Sequence, residues 1–150
     1  MQVSRQIEIQ ASAERVFACL DDPALLSQWM TGLQETCYET AAAPREGARF
    51  TQRLQEFGRT ITYAGEVRIY TPPERLRLAL VHPRLQMMVD YRLAELAPGR
   101  TRLDYDVELT PTDAAVSRLA GLMGWYARRM TQAQLERLRD LAQARHAKPA

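Results

Sequence analysis

The chain has 150 residues, of which 46% are hydrophobic and 25% charged, a composition typical of one globular domain. Its net charge of +2 is too small to indicate nucleic acid as a partner. Because the chain has only two histidines, a multi-histidine metal site is not expected. Its two cysteines lack CxxC spacing and are too few for a disulfide framework.

The N-terminal third predicts one strand and two short helices. Apolar and polar residues alternate in "VSRQIEIQAS", as in a half-buried strand. Ser12 is a candidate N-cap for a helix over "SAERVFACL". Asp22 and Pro23 open a second helix, "PALLSQWMTG", which Gly32 is expected to end.

From residue 34 the apolar period changes to two, which predicts six more strands. Turn signals ("PREG", "FGR", "TPPE", "HP" and "APG") separate them. Because these connections are short, we expect antiparallel neighbours in a meander. The predicted strands are 34–41, 48–57, 60–71, 75–82, 85–95 and 101–110.

The C-terminal segment predicts one long helix, capped by Thr112 or Asp113 and extending to about residue 145. Residues 146–150 are expected to be a frayed tail. The element order predicts an α+β fold of one domain, 1–150, in which a curved seven-stranded antiparallel sheet wraps around this helix. The expected apolar stripe of the helix comprises Val116, Leu119, Ala120, Met123, Ala127, Met130, Gln134, Leu138 and Leu141.

The stretch "IEIQASAERVFACLDDPALLSQWMTGL", with Gly47, the Pro72–Pro73 turn and Gly99–Thr101, resembles the START-like (SRPBCC) superfamily. Within it, the chain is most similar to the bacterial polyketide cyclase/dehydrase and lipid-transport group. The resemblance implies a helix-grip fold with a deep apolar cavity between sheet and helix. It also implies ligands such as lipids, sterols, quinones or polyketides, and some members of the superfamily are enzymes.

Three glycines allow two interpretations each. Gly121 and Gly124, beside Ala120, either leave room for a ligand or allow close packing of the helix against Trp29 or the sheet. Gly65, inside a predicted strand, either marks a bulge that curves the sheet or leaves room for a ligand.

Strand parity and helical spacing predict which side chains face the space between sheet and helix. Parity also places Ile69 on this inner face. The candidate ligand-binding residues are Phe50, Gln52, Leu54, Tyr63, Gly65, Val67, Leu78, Leu80, Met87, Val89, Tyr91, Tyr105, Val107, Leu119, Met123, Tyr126 and Met130.

His82 and Glu56 are the candidates for catalytic proton transfer. An imidazole titrates near neutral pH, and a desolvated carboxyl has a raised pKa. Both residues also lie at strand ends, where an exposed rim position is the alternative. Both Cys19 and Cys37 are interpreted as unreactive.

The last helix region carries seven basic residues against three acidic ones. This excess fits either a solvated outer face or a surface that approaches an acidic partner or membrane. The basic residues are Arg118, Arg128, Arg129, Arg137, Arg139, Arg145 and Lys148.

No HExxH, Walker-type, dinucleotide or GxSxG motif is present, so we expect no cofactor. We also expect a cytoplasmic monomer or homodimer without stable membrane insertion. The main hypothesis is binding or transport of a small hydrophobic molecule. The alternatives are a cofactor-independent cyclase/aromatase-like enzyme and a protein-interaction module. The sequence does not decide whether the protein is an enzyme.

Overall fold

The computed structural model describes residues 1–39, 45–56 and 58–147, without the side chains of residues 120 and 145–147. The predicted strand ends at 40–41 and 57, the proline of "PREG" and most of the predicted tail lie outside the described residues. The elements are β1 (Gln2–Ile9), α1 (Ala13–Asp21), α2 (Pro23–Trp29), β2 (Leu33–Tyr38), β3 (Arg49–Glu56), β4 (Arg59–Thr71), β5 (Arg75–His82), β6 (Leu85–Ala97), β7 (Arg100–Pro111), α3 (Ala114–Arg118) and α4 (Ala120–Ala147).

The seven strands form one antiparallel sheet in the order β1-β7-β6-β5-β4-β3-β2. Strands β2 to β7 follow sequence order, as expected for a meander, and β1 completes the sheet beside β7. The helices α1 and α2 therefore carry the chain from one edge of the sheet to the other. The predicted strand content and the open curved sheet with a long C-terminal helix are confirmed.

Side-chain caps fix the two short helices, as the sequence indicates. Ser12 accepts a hydrogen bond from the Arg15 amide at 3.3 Å, and Asp22 accepts one from the Ala24 amide at 3.0 Å. The helix α2 ends at Trp29, whose buried indole N–H donates to the Cys19 carbonyl at 2.8 Å. This bond ties α2 to α1.

The predicted inward orientation of Ile69 is wrong, because a register shift in β4 lies between Val67 and Ile69. Such a bulge moves every later side chain to the opposite face. Ile69 now pairs with Arg77, which faces outward, and Tyr70 points inward instead. The Tyr70 hydroxyl donates to the Asp21 carboxylate at 2.7 Å.

The predicted single C-terminal helix is interrupted at Leu119, which separates α3 from α4. Asp113, and not Thr112, caps α3 by accepting a hydrogen bond from the Ala115 amide at 2.7 Å. The Thr112 hydroxyl instead donates to the Pro83 carbonyl at 2.7 Å. Because of the break, Leu119 lies on the surface, and its predicted place in the apolar stripe and at the ligand site is wrong.

The C-terminal half of α4 is anchored by Leu135, Leu138 and Ala142, which are buried in the main hydrophobic cluster. The helix packs against β1, α1 and α2. Trp29 and Ile9 are fully buried in the same cluster. This end of the molecule is therefore a solid core.

The outer face of the sheet carries paired charges. Asp90, which is buried, accepts hydrogen bonds from Arg75 at 2.9 Å and Arg77 at 3.3 Å. Arg92 pairs with Asp106 on the neighbouring strand. These pairs neutralise most of the charge on that face.

The three glycines have different surroundings. A Cβ at Gly65 would lie 2.3 Å from the Phe50 ring, so the space over Gly65 is filled by Phe50 and is neither free for a ligand nor the site of the bulge. A Cβ at Gly121 would meet no atom within 4 Å, and one at Gly124 would lie 3.1 Å from the Met1 sulfur. Gly124 therefore packs against the N-terminus. The Ala120 side chain is outside the described residues.

We predict opposite effects for alanine at Gly65 and Gly121. Gly65→Ala forces a Cβ into the buried Phe50 ring and should lower the free energy of unfolding by about 1–3 kcal/mol. Gly121→Ala adds helix propensity in open space and should raise it by about 0.5–1 kcal/mol. Urea unfolding followed by circular dichroism measures both.

The Phe50→Leu background is the control for this prediction. If the clash is with the ring, Gly65→Ala should cost less free energy of unfolding in that background than in the wild type. Equal costs in the two backgrounds would contradict it.

Candidate ligand-binding site

The inner face of the sheet is apolar over most of its area. Cross-strand partners share a face, so Leu80 lies with Gly65 and Met87, and Val67 lies with Leu78. Five of the candidate residues that parity places on this face are buried: Val67, Leu80, Val89, Tyr91 and Val107. Leu78 and Met87 are only half-buried although they point inward. The covering of this face is therefore incomplete on one side.

The N-terminal half of α4 lies opposite this face. Met123, Tyr126 and Met130 occur at helical spacing and are half-buried. Tyr126 interacts electrostatically with Glu56 and Tyr63, which places this helix face toward the ends of β3 and β4. Met123 and Met130 are not packed against the main core cluster. We call the space between these residues and the sheet the hollow.

Glu56, Tyr63 and His82 form a polar cluster at one end of the hollow. The Tyr63 hydroxyl donates a hydrogen bond to the Glu56 carboxylate. The Tyr63 and His82 rings are 5.8 Å apart between centroids. The His82 Nδ1 accepts a hydrogen bond from the Arg84 amide at 3.2 Å, which orients the imidazole. The two residues proposed for proton transfer are thus brought together by the turns that follow β3 and β5.

Partial burial controls the charge state of this cluster. Desolvation raises the pKa of the Glu56 carboxyl, against the opposing effects of the Tyr63 hydrogen bond and the His82 charge. Burial and the neighbouring Glu56 also raise the pKa of Tyr63. Glu56 is therefore a better proton acceptor than an exposed carboxylate, and Tyr63 stays protonated as a donor.

Tyr91 and Tyr105 form a second group on the inner face, with ring centroids 5.2 Å apart. Burial raises the pKa of Tyr105 to about 12, and a hydrogen bond links its hydroxyl to Thr131 of α4. Thr131 is buried and was not among the predicted site residues. This bond connects the sheet to the helix at the boundary between the solid core and the hollow.

The candidates on β3 lie in the core and do not form the open part of the hollow. Phe50 packs over Gly65 and against the Tyr38 ring, with centroids 5.3 Å apart. The buried Gln52 donates a hydrogen bond to the Thr36 hydroxyl at 3.5 Å. Leu54 is buried. Their side chains are occupied by contacts within the protein.

Two depressions lie on the surface, and neither is lined by the residues named around the hollow. A groove of about 450 Å³ runs between β1 and α4 and is lined by Arg5, Trp125, Arg128 and Arg129, among others. A smaller one, of about 240 Å³, lies beside residues 45–49.

Among the described residues, no three His, Cys, Asp or Glu side chains group as metal ligands would. No helix in the described part of the chain is long and apolar enough to cross a membrane.

A family model described as polyketide cyclase / dehydrase and lipid transport matches residues 1–143. The chain belongs to this family. This match confirms the resemblance to the START-like (SRPBCC) superfamily that the sequence indicates. No curated protein matches the chain significantly.

Solved structures of family-like proteins share the fold. The Zhui aromatase/cyclase from Streptomyces sp. R1128 superposes with a TM-score of 0.80 at 14% identity, covering 97% of this chain and 94% of that one. A START superfamily protein from Mycobacterium smegmatis gives a TM-score of 0.72 at 17% identity, covering 97% and 96%. A protein from Rhodobacter sphaeroides gives 0.72 at 23% identity, covering 95% and 92%. At these identities the likeness establishes the fold.

We predict that Glu56 makes stability pH-dependent between its usual pKa of 4.5 and its raised folded value. A carboxyl whose folded pKa is raised contributes stability that is complete below the unfolded pKa and is lost as pH rises through the folded pKa. The free energy of unfolding of Glu56→Gln should therefore increase relative to the wild type as pH rises above 4.5. Urea unfolding at a series of pH values measures this difference.

Tyr63→Phe provides an independent check, because it removes the hydrogen bond that favours the carboxylate. The Glu56 pKa, followed by carbon-13 NMR of the carboxyl group, should rise further in this variant. A fall in that pKa would show that Tyr63 does not stabilise the charged form.

Proposed function

We propose that this protein binds a small hydrophobic molecule in the hollow, between the inner face of the sheet and the N-terminal half of α4. One observation carries the proposal: apolar side chains on facing surfaces remain half-buried. Leu78 and Met87 on the inner face of the sheet contact the main hydrophobic cluster but stay half-exposed, and Met123 on the helix is half-exposed without contacting that cluster. When a ligand covers such a surface, each Å² of apolar area removed from water contributes about 25 cal/mol of favourable free energy.

The uneven packing of α4 supports the same proposal. Leu135 and Leu138 are buried, whereas Met123 and Met130, on the preceding turns, are half-exposed. A helix anchored at one end keeps the opposite end of the sheet accessible. Methionine side chains are flexible and polarizable, so they adapt to ligands of different shape.

The polar cluster supplies orientation. In a mostly apolar pocket, a few hydrogen-bonding groups fix the position of a ligand. Tyr63 and Tyr126 offer phenols and Glu56 a carboxyl at one end of the hollow. The proposed ligand is therefore a hydrophobic molecule with an oxygen function at one end, such as a polyketide, quinone or lipid.

Adjacent methionines allow a matched test of ligand binding. Met87 pairs with Leu80 and Leu109 on the inner face, whereas Met88 pairs with Ala79 and Glu108 on the outer face. Met87→Trp should fill the hollow and weaken binding of the fluorescent probe N-phenyl-1-naphthylamine at least about tenfold. Met88→Trp should leave the affinity unchanged.

Fluorescence titration measures both affinities, and circular dichroism confirms that both variants fold. Equal affinity in the two variants, or no binding of the probe by the wild type, would contradict the proposed site. Native mass spectrometry of the purified protein would then show whether any lipid is retained.

A second candidate function is proton abstraction from a bound ketone, as in a cyclase-like enzyme. The observation that favours it is the hydrogen-bonded pair Glu56–Tyr63 beside His82. In this mechanism the Glu56 carboxylate removes a proton from the carbon next to the carbonyl. The C–H electron pair forms the C=C bond of the enolate while the carbonyl π pair moves to the oxygen, and Tyr63 or Tyr126 donates a hydrogen bond to that oxygen.

Hydrogen–deuterium exchange at the methyl group of acetophenone tests this step without knowledge of the natural substrate. Glu56→Gln should lower protein-catalysed exchange at least about 100-fold. Glu66→Gln is the control, because Glu66 binds Arg49 and Arg68 on the outer face and its loss changes the charge equally. If the wild type gives no exchange above solvent, or both variants exchange alike, Glu56 is not a catalytic base.

A further inference from the structure

Three large apolar side chains at the start of α4 are exposed on the surface. Leu119, Leu122 and Trp125 have exposed fractions of 54%, 64% and 52%, and they follow one another at intervals of three residues. Leu122 and Trp125, at this spacing within α4, lie close together on the helix, and Leu119 directly precedes it. We call these three residues the apolar ridge. Burying so much apolar surface would be favourable, so the ridge indicates a contact with something outside the chain.

Arginines surround the ridge. Arg118 precedes it in sequence, and the Arg129 guanidinium lies over the Trp125 ring, 5.4 Å from its centroid. Arg5 and Arg128 line the adjoining groove between β1 and α4. Gln132 and the carboxylate of Glu136 also line the groove, and Gln132 donates a hydrogen bond to Glu136 at 3.1 Å.

These arginines differ from those on the sheet. Within the described residues, none of Arg5, Arg118, Arg128 and Arg129 forms an ion pair. On the outer face of the sheet, Arg75, Arg77 and Arg92 are all paired with aspartates. The centre of the outer face thus balances its own charges, and the unpaired Arg59 and Arg100 lie apart at strand ends, whereas several unpaired arginines gather around the ridge, where an anionic surface would neutralise them.

We propose that the apolar ridge and its arginines dock on the surface of a bilayer that contains anionic lipid. The ridge is exposed, so it can enter the boundary between headgroups and acyl chains, where tryptophan is favoured. The arginines then face the phosphates, and the groove of about 450 Å³ accommodates a lipid headgroup.

The charge distribution disfavours a second copy of this chain as the occupant. In a two-fold dimer the same patch meets itself, so the unpaired arginines around the ridge of each copy would face one another. An acidic protein would also satisfy the arginines, but the exposed Leu122 and Trp125 side chains match the boundary between headgroups and acyl chains, where tryptophan is favoured.

Docking in this orientation would also affect ligand exchange at the hollow. This consequence rests on the proposed ligand-binding function. Met123, Tyr126 and Met130, on an adjoining face of the same helix, line the proposed hollow. A docked helix would therefore bring the open end of the hollow close to the bilayer, where a hydrophobic ligand could be exchanged.

Vesicle flotation tests the proposal with the full chain. The wild type should bind vesicles of 70% phosphatidylcholine and 30% phosphatidylglycerol, lose most binding in 0.5 M NaCl, and bind pure phosphatidylcholine at least about tenfold more weakly. Brominated lipids should quench Trp125 emission, whereas the buried Trp29 should be shielded.

Two double variants separate the apolar and charged contributions. The ridge variant is Leu122→Ser/Trp125→Ser, and the arginine variant is Arg128→Gln/Arg129→Gln. Each should lower the vesicle partition coefficient at least about tenfold. The controls are Val81→Ser, an exposed apolar residue elsewhere, and Arg59→Gln/Arg100→Gln, which removes the same charge from exposed strand ends. Both controls should bind vesicles like the wild type.

Three outcomes would overturn the proposal. The first is that the wild type binds neutral and anionic vesicles equally well. The second is that the arginine variant and its control lose vesicle binding to the same extent. The third is that the wild type self-associates without vesicles and the ridge variant does not. The last result would assign the ridge to an interface between copies. Binding of N-phenyl-1-naphthylamine by Arg128→Gln/Arg129→Gln should remain at the wild-type level, so failure of docking is distinguishable from failure of the proposed ligand site.

Discussion

Burial of Leu135, Leu138 and Ala142 in the core formed with β1, α1 and α2 is the interaction on which the rest of the structure depends. It fixes the C-terminal half of the long helix across the inner face of the sheet. Trp29, through its hydrogen bond to the Cys19 carbonyl, holds the two short helices in the same core. With this end closed, the N-terminal half of α4 is held beside the sheet without filling the space beneath it, and the proposed hollow follows from that geometry.

The sequence alone predicts the elements and their order well, because the period of apolar residues changes clearly from 3.6 to 2 and back. Ser12 and Asp22 mark the starts of α1 and α2 through local hydrogen bonds, which depend only on neighbouring residues. Parity likewise predicts the inner face of β3, β5, β6 and β7. These features are local, so one sequence contains the information that specifies them.

Features that depend on tertiary contacts were not predictable in the same way. The bulge after Val67 reverses the faces of Ile69 and Tyr70, and no turn residue marks it. The break at Leu119 lies in a segment of good helix formers, so only the structure reveals that the ridge is outside. Gly65 accommodates the Phe50 ring of a neighbouring strand, a contact that requires the register of β3 against β4. Thr131 was missed for a similar reason, since its hydrogen-bonding partner is 26 residues away in the sheet.

The polar cluster lies at the end of the sheet where the β3–β4 and β5–β6 hairpins meet. Glu56 and His82 end their strands, and Tyr63 is close to the beginning of its own strand. Most of the large, fully buried side chains belong to the opposite end of the domain. Evolution can consequently alter the polarity and shape of this end by changing hairpin residues while the folding core stays constant. That separation gives one stable scaffold the freedom to acquire different chemical preferences.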